Sequence, residues 1–307
     1  MNTDESAVRI LNYFRRNAAA SIPYCMQFSA SDPGDHVVIV GGTHGNEPAG
    51  VKAIVQLHRA IQNGEIDLIC GKISFLLGNP TAYKRDRRYM VKDLNRAFSE
   101  DDTSTLEGKR AQEIKQFFKQ NPDICSLADL HSVSIGDFKI LVYNIENSRN
   151  TALALSVSSI HLHFAYHPKH MPGTLIQEAS QNSINAFIVE CGNHHSTQGV
   201  DTALQHICRL LSHHNLIKKN AKSKATPSSK IIQFETIQAI RPHSGFTFLV
   251  ENIKTGTKLK KGQIFAVDDH GDHIAPQDCY VMVPSKVVKS TDYDAGFLCK
   301  LNTRHYI

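Results

Sequence analysis

Val37-Val-Ile-Val40 runs into Gly41-Gly-Thr-His-Gly-Asn-Glu47, and Pro48 to Gln62 follows with apolar residues at helical spacing before Asn63-Gly64 closes the segment. Four successive β-branched or aliphatic residues predict a strand buried on both faces. The glycines predict a tight loop, and Pro48 suits the first position of a helix. Strand, glycine-rich loop and helix make the first half of a parallel crossover unit. The same alternation recurs along the chain: strands are expected at Lys72 to Leu77, Asp123 to Leu130, Lys139 to Tyr143, Leu162 to Tyr166 and Ala186 to Val189. Helices are expected at Glu107 to Gln120, stopped by Asn121-Pro122, at Asn150 to Ser159 and at Thr197 to His213. Strands alternating with helices over ~200 residues argue for an α/β layer fold with a mostly parallel sheet.

The chain changes character at Lys218 to Lys230, where five lysines, three serines and Pro227 make a segment too polar to pack. Beyond it, short strands at Phe246 to Val250, Gln263 to Val267, Tyr280 to Val283 and Phe297 to Leu301 are separated by turns such as Thr255-Gly256 and Lys261-Gly262, with no helical stretch. The division expected is an α/β domain over residues 1–220, a linker over 221–230 and a β-rich domain over 231–307.

Composition narrows the function classes. Hydrophobic residues make up 41% of the 307 and charged residues 21%, which excludes a disordered tail or a fibrous repeat. A net charge of +5 tolerates anionic substrates but falls short of a nucleic-acid footprint. The longest uncharged window, Asn150 to Pro168, is broken by Ser and His and does not suit a bilayer span, so no membrane partner is expected. The first residues show no basic-then-apolar secretory pattern. Seven cysteines without a C-x-x-C pair read as reduced thiols, and the cytoplasm is the compartment expected.

Four constellations carry chemistry. His44 and Glu47, three residues apart before a helix, offer an imidazole nitrogen and a carboxylate oxygen suited to zinc, although an isolated H-x-x-E is also an ordinary tight turn. His131 in Ala128-Asp-Leu-His-Ser132 is the candidate third ligand, because parallel strands place their following loops on one edge. Three protein ligands leave a coordination position for water, the open arrangement of catalytic zinc. Asp129 reads equally as an acid behind a ligand or as one at the core edge. In Ala186-Phe-Ile-Val-Glu-Cys-Gly192 an apolar strand delivers Glu190 to its end. A buried unpaired carboxylate costs several kcal/mol, so Glu190 has either a general-base task on the attacking water or a structural cationic partner. The fourth, Arg85-Asp-Arg-Arg-Tyr-Met-Val-Lys-Asp-Leu-Asn-Arg96, is dense in guanidinium that binds carboxylates bidentately, and by itself is equally a solvated run or a nucleic-acid patch.

In order and spacing, GGTHGNE, RYMVKDLNR, DLHS and the Glu of IVECG resemble the aspartoacylase and succinylglutamate desuccinylase family, within the zinc carboxypeptidase-like hydrolases. The resemblance implies a zinc-carboxypeptidase-like three-layer α/β domain with a mostly parallel mixed sheet, followed by a small β-rich domain. It implies one zinc ion per chain on His44, Glu47 and His131, Glu190 as catalytic acid/base, and Arg88 polarising the scissile carbonyl. It further implies that Asn95 and Arg96 hold the carboxylate of the amino acid, that Asp93 orients the arginines, and that Tyr293 enters the substrate pocket from the C-terminal domain. The activity implied is zinc-dependent removal of an acyl group from a small N-acyl amino acid. Ten residues before the catalytic Glu, aspartoacylases carry an Arg where this chain has Ser180, so the acyl group and the amino acid stay open.

Three other readings compete. A zinc carboxypeptidase acting on short peptides uses the same metal chemistry. Thiol catalysis by Cys191 with His194 or His195 rests on their closeness in sequence. A nucleic-acid module on Lys84 to Arg96 leaves His44, Glu47, His131 and Glu190 without a purpose. The oligomeric state, a homo-oligomer included, is not legible in the sequence.

Overall fold

The strand at the heart of the molecule, His36–Gly41, is buried at every position, as its unbroken apolar run predicts. In the computed structural model, which describes residues 3–218, 231–285 and 294–302, this strand is one of eleven in a single mixed sheet. The expected linker over 221–230 and Tyr293 lie outside the described residues.

The strands are β1 (Cys25–Ser29), β2 (His36–Gly41), β3 (Lys72–Leu77), β4 (Ile124–Val133), β5 (Lys139–Asn144), β6 (Leu162–Tyr166), β7 (Asn185–Asn193), β8 (Ile232–Ile240), β9 (Thr247–Phe248), β10 (Thr257–Leu259), β11 (Ile264–Asp268), β12 (Gly271–Ile274), β13 (Cys279–Met282) and β14 (Gly296–Asn302). The helices are α1 (Thr3–Arg16), α2 (Pro48–Gln62), α3 (Pro80–Lys84), α4 (Leu94–Ala97), α5 (Leu106–Gln120), α6 (Ser148–Val157), α7 (Leu175–Gln181) and α8 (Gly199–His213). The large sheet runs β1-β3-β2-β4-β7-β5-β6-β8-β14-β13-β10, and β12-β11-β9 form a second, small one. Pairing is parallel from β3 through β2 and β4 to β7. It turns antiparallel between β7 and β5 and becomes parallel again through β6 to β8.

Alternation along β2 divides the core. Val37 and Ile39 face a layer of α1, α2, α6 and α8, packing with Phe14, Val51, Ile54 and Ile207. Val38 and Val40 face α4, α5 and α7, packing with Leu94, Ile114, Phe117 and Ile176. The two faces close a three-layer sandwich, and both are buried because helices cover each side.

The sequence reading did not propose α1, β1, α3, α4, α7, β10 or β12, and the differences that bear on the site concern β8 and the ends of strands. Ile232–Ile240 was not expected as a strand, since its polar residues interrupt the apolar pattern; yet it pairs in parallel with β6 and antiparallel with β14. Through it the C-terminal strands continue the large sheet, and Phe234, Met282, Phe297 and Cys299 join the core around α5 and α7. Strand β4 extends three residues past the expected Leu130, and β7 reaches Asn193. Those extensions carry His131 and Glu190.

Candidate active site

Parallel strands β2 and β4 end on the same edge, which brings the loop after Gly41 beside His131. The loop reverses at Gly42, whose φ of +70° is a conformation L side chains rarely adopt. Gly45 then presses onto α3, where a Cβ would stand 2.1 Å from the carbonyl carbon of Ala82. His44 and Glu47 are thereby turned inward, and both are buried, as is His131.

Their donor atoms converge. His44 Nδ1 lies 2.9 Å from Glu47 Oε1 and 3.1 Å from His131 Nδ1, and His131 Nδ1 lies 3.0 Å from Glu47 Oε2. Two acids set which nitrogen each imidazole presents. Asp93 Oδ1 is 3.1 Å from His44 Nε2, and Asp129 Oδ2 is 2.7 Å from His131 Nε2. With each Nε2–H donated to its acid, both Nδ1 lone pairs face the Glu47 carboxylate. Asp129 is itself held by a hydrogen bond from Thr43 Oγ1 at 2.7 Å and lies behind the candidate ligand His131.

Three acceptors within 4.8 Å of one another repel unless a cation lies among them. The charges around the cluster favour positive charge there. Burial opposes protonation of His131, but Asp129 and Glu47 hold its imidazole well above the usual value. Glu47, despite burial, is held well below the carboxylate range by His44 and His131. A divalent ion satisfies the same field with neutral imidazoles, so the donor set fits a metal of the zinc type.

Glu190 enters from β7, directly opposite His131 in the parallel register. Its Oε2 is buried and has no hydrogen-bond partner among the described residues. Burial pushes its carboxyl up to about 7, an effect to which Glu47 adds and which His131, His44 and Arg88 oppose. Among the described residues, the alternative of a structural ion pair finds no hydrogen-bonded partner for Oε2. Cys191, the next residue, points into the opposite face and is fully buried in the core; burial and the Glu190 charge drive its thiol well above the ordinary range. It does not line the cavity, which leaves thiol catalysis without an accessible nucleophile.

Arg88 forks onto Asp93 through Nε (3.2 Å) and Nη2 (2.9 Å), with Nη1 3.6 Å from Glu47 Oε1. Asp93 caps α4, accepting from Asn95 N at 2.8 Å, and sits behind the site wall, bonded to His44 and Arg88. Asn95 and Arg96 do face the cavity, where Arg96 Nη2 meets Asp294 Oδ2 at 2.6 Å. Ser180 lies on α7, bonded to Ile176 O and Asn150, and does not line the cavity. The cavity is about 860 Å³, with Val283, Pro284, Asp294 and Phe297 of the C-terminal region forming one wall.

Several contributors escape sequence reasoning. Glu107 of α5 accepts from the backbone of Met90 (2.7 Å), Val91 (3.2 Å) and Lys92 (3.4 Å) and so braces the arginine loop. Ser132 N donates to Glu47 Oε2 at 3.0 Å, while its Oγ bonds His194 Nδ1 at 2.8 Å at the cavity edge. Nothing in the spacing of these residues marks them.

The model of the succinylglutamate desuccinylase/aspartoacylase catalytic domain matches residues 33–212. This chain belongs to that family. Among relatives of the desuccinylase/aspartoacylase kind, an N-acyl-aromatic-L-amino acid amidohydrolase of Xenopus laevis is 39% identical over 114 residues, 34% of this chain and 36% of that protein. A probable aspartoacylase of Nostoc sp. is 36% identical over 110 residues, 33% and 36% of the two chains. The alignments thus span about a third of these curated relatives. The succinylglutamate desuccinylase of Chromobacterium violaceum shares the fold with a TM-score of 0.73 at 19% identity, over 96% of this chain and 98% of that one.

Proposed function

We propose that the protein is a zinc-dependent amidohydrolase that removes the acyl group from a small N-acyl amino acid. The observation that carries this reading is the convergence of His44 Nδ1, Glu47 and His131 Nδ1 beside Glu190, whose buried Oε2 has no hydrogen-bond partner among the described residues. His44, Glu47 and His131 would hold one zinc ion, which when bound lowers the pKa of water and polarises a carbonyl.

The chain's own groups then divide the work. Glu190, beside the three candidate ligands, takes the proton of the attacking water and delivers it to the amide nitrogen as that bond breaks. Arg88, locked by Asp93, presents its guanidinium to the charge that develops on the carbonyl oxygen. Asn95 and Arg96 face the same cavity and suit the carboxylate of the amino acid. Asp93 and Asp129 keep both imidazoles in the required tautomer.

A zinc carboxypeptidase acting on peptides is the competing chemistry. The wall formed by Val283, Pro284, Asp294 and Phe297 bounds the cavity on the C-terminal side, which favours a small substrate over an extended chain. The test is hydrolysis of a panel of acetyl, succinyl, formyl and aromatic N-acyl amino acids, and of short peptides, before and after chelation and zinc add-back. Activity on N-acyl amino acids is expected to vanish on chelation and return with zinc. Undiminished activity after complete metal removal would overturn the mechanism, and faster peptide cleavage would favour the carboxypeptidase.

A further inference from the structure

At the opposite end of β2 from the catalytic cavity, roughly 20 Å away by the length of the strand, a second group of metal-ligating side chains gathers. Asp35 precedes β2, Cys125 is the second residue of β4, and His214 caps the C-terminus of α8. His214 Nδ1 lies 2.7 Å from Asp35 Oδ2 and 3.8 Å from Cys125 Sγ, and one donor atom from each residue falls within 4.8 Å of the others.

We propose that Asp35, Cys125 and His214 form a second divalent-metal site, suited to a borderline-soft ion such as zinc. Thiolate, imidazole and carboxylate together select zinc over magnesium or calcium, which prefer oxygen alone. Bond lengths of about 2.0–2.3 Å around a tetrahedral ion put donors about 3.2–3.8 Å apart. The sulfur–nitrogen spacing already matches this, and the Asp35–His214 contact needs to open by a few tenths of an ångström. The half-buried Cys125 thiol donates to His36 O at 3.3 Å, and its proton is released when an ion binds.

One further observation points the same way: the donors lie at three separate places in the fold, just before β2, within β4 and at the C-cap of α8, rather than on one loop. An ion there ties the end of α8 to the start of the central strands. The site has its own donors and does not depend on the catalytic reading.

The test is titration of the metal-free full chain with Co²⁺, read by near-ultraviolet thiolate-to-cobalt charge transfer. The catalytic cluster contains no sulfur, so this band reports the second site alone. One equivalent of thiolate-bound cobalt is expected in the wild type and in His131→Ala, and His214→Ala should weaken binding by at least about tenfold. Cys125→Ser should abolish the band, whereas Cys70→Ser, altering a thiol that bonds Asn215 O at 3.2 Å nearby, should keep it. Absence of the band in the wild type, or its persistence in Cys125→Ser, overturns the proposal. Should Cys125→Ser not fold, alkylation of the wild type decides: Zn²⁺ should slow modification of Cys125 by at least about tenfold, and an unchanged rate refutes the site.

Discussion

Glu190 ionises near 7 in the folded protein and near 4.5 when unfolded, because burial and the neighbouring Glu47 charge outweigh His131, His44 and Arg88. Folding therefore favours the protonated acid. The stability this group contributes is complete below pH 4.5 and is lost as the pH rises through 7. Glu190→Gln cannot ionise, so the chelated variant should overtake the chelated wild type across that window and level off up to about 3 kcal/mol more stable above it. Urea unfolding at a series of pH values measures the gap, and a pH-independent difference contradicts the raised pKa. The same variant should retain bound metal while kcat falls roughly 10²- to 10⁴-fold, as expected when a general base is removed. In the metal-loaded wild type the acid limb of kcat/KM should lie below pH 7, because a cation beside Glu190 favours its carboxylate, with activity rising as that carboxylate forms.

The loop between β2 and α2 places two of the three candidate ligands, and its shape depends on close approach to α3. Gly45 has no room for a side chain against the Ala82 carbonyl, and its N–H donates to Arg88 O at 3.1 Å, so it joins the ligand loop to the arginine loop. Gly45→Ala should displace His44 and Glu47 together. The expected result is a stability loss of about 1–3 kcal/mol from overpacking and a larger proportional loss of metal affinity, measured by thermal melts and by metal titration. Retention of wild-type affinity would show that the loop tolerates the shift. Much of the element pattern was readable: the apolar runs in β2 and β3 and the amphipathic α2 and α8 lie within a residue or two of expectation. The extensions of β4 and β7 were not, because DLHS and the Glu-Cys of IVECG break the apolar pattern to supply the site.

Across the whole molecule, the large sheet passes without interruption from β6 into β8 and on through β14, β13 and β10. Phe234, Phe297, Cys299 and Met282 pack in the same core as Phe164, Ile140 and Leu175. A chain ending at Lys218 would expose that apolar face and leave β6 as an unpaired edge. It is expected to aggregate or to melt well below the full-length protein, as checked by sedimentation and circular dichroism. A soluble, cooperatively folding 1–218 fragment would show that the C-terminal strands are dispensable to the core.

The sequence by itself determined the layered α/β architecture and the family, because hydrophobic periodicity and the four spaced motifs are local properties of the chain. It also marked His44, Glu47, His131 and Glu190 as candidates. Only the tertiary structure decided their relation. The β4–β7 register sets Glu190 opposite His131, Asp93 and Asp129 choose the imidazole tautomers from behind, and β8 ties the C-terminal strands into the sheet. These are contacts between residues far apart along the chain, and their energies depend on burial and distance, quantities that exist only once the chain has folded.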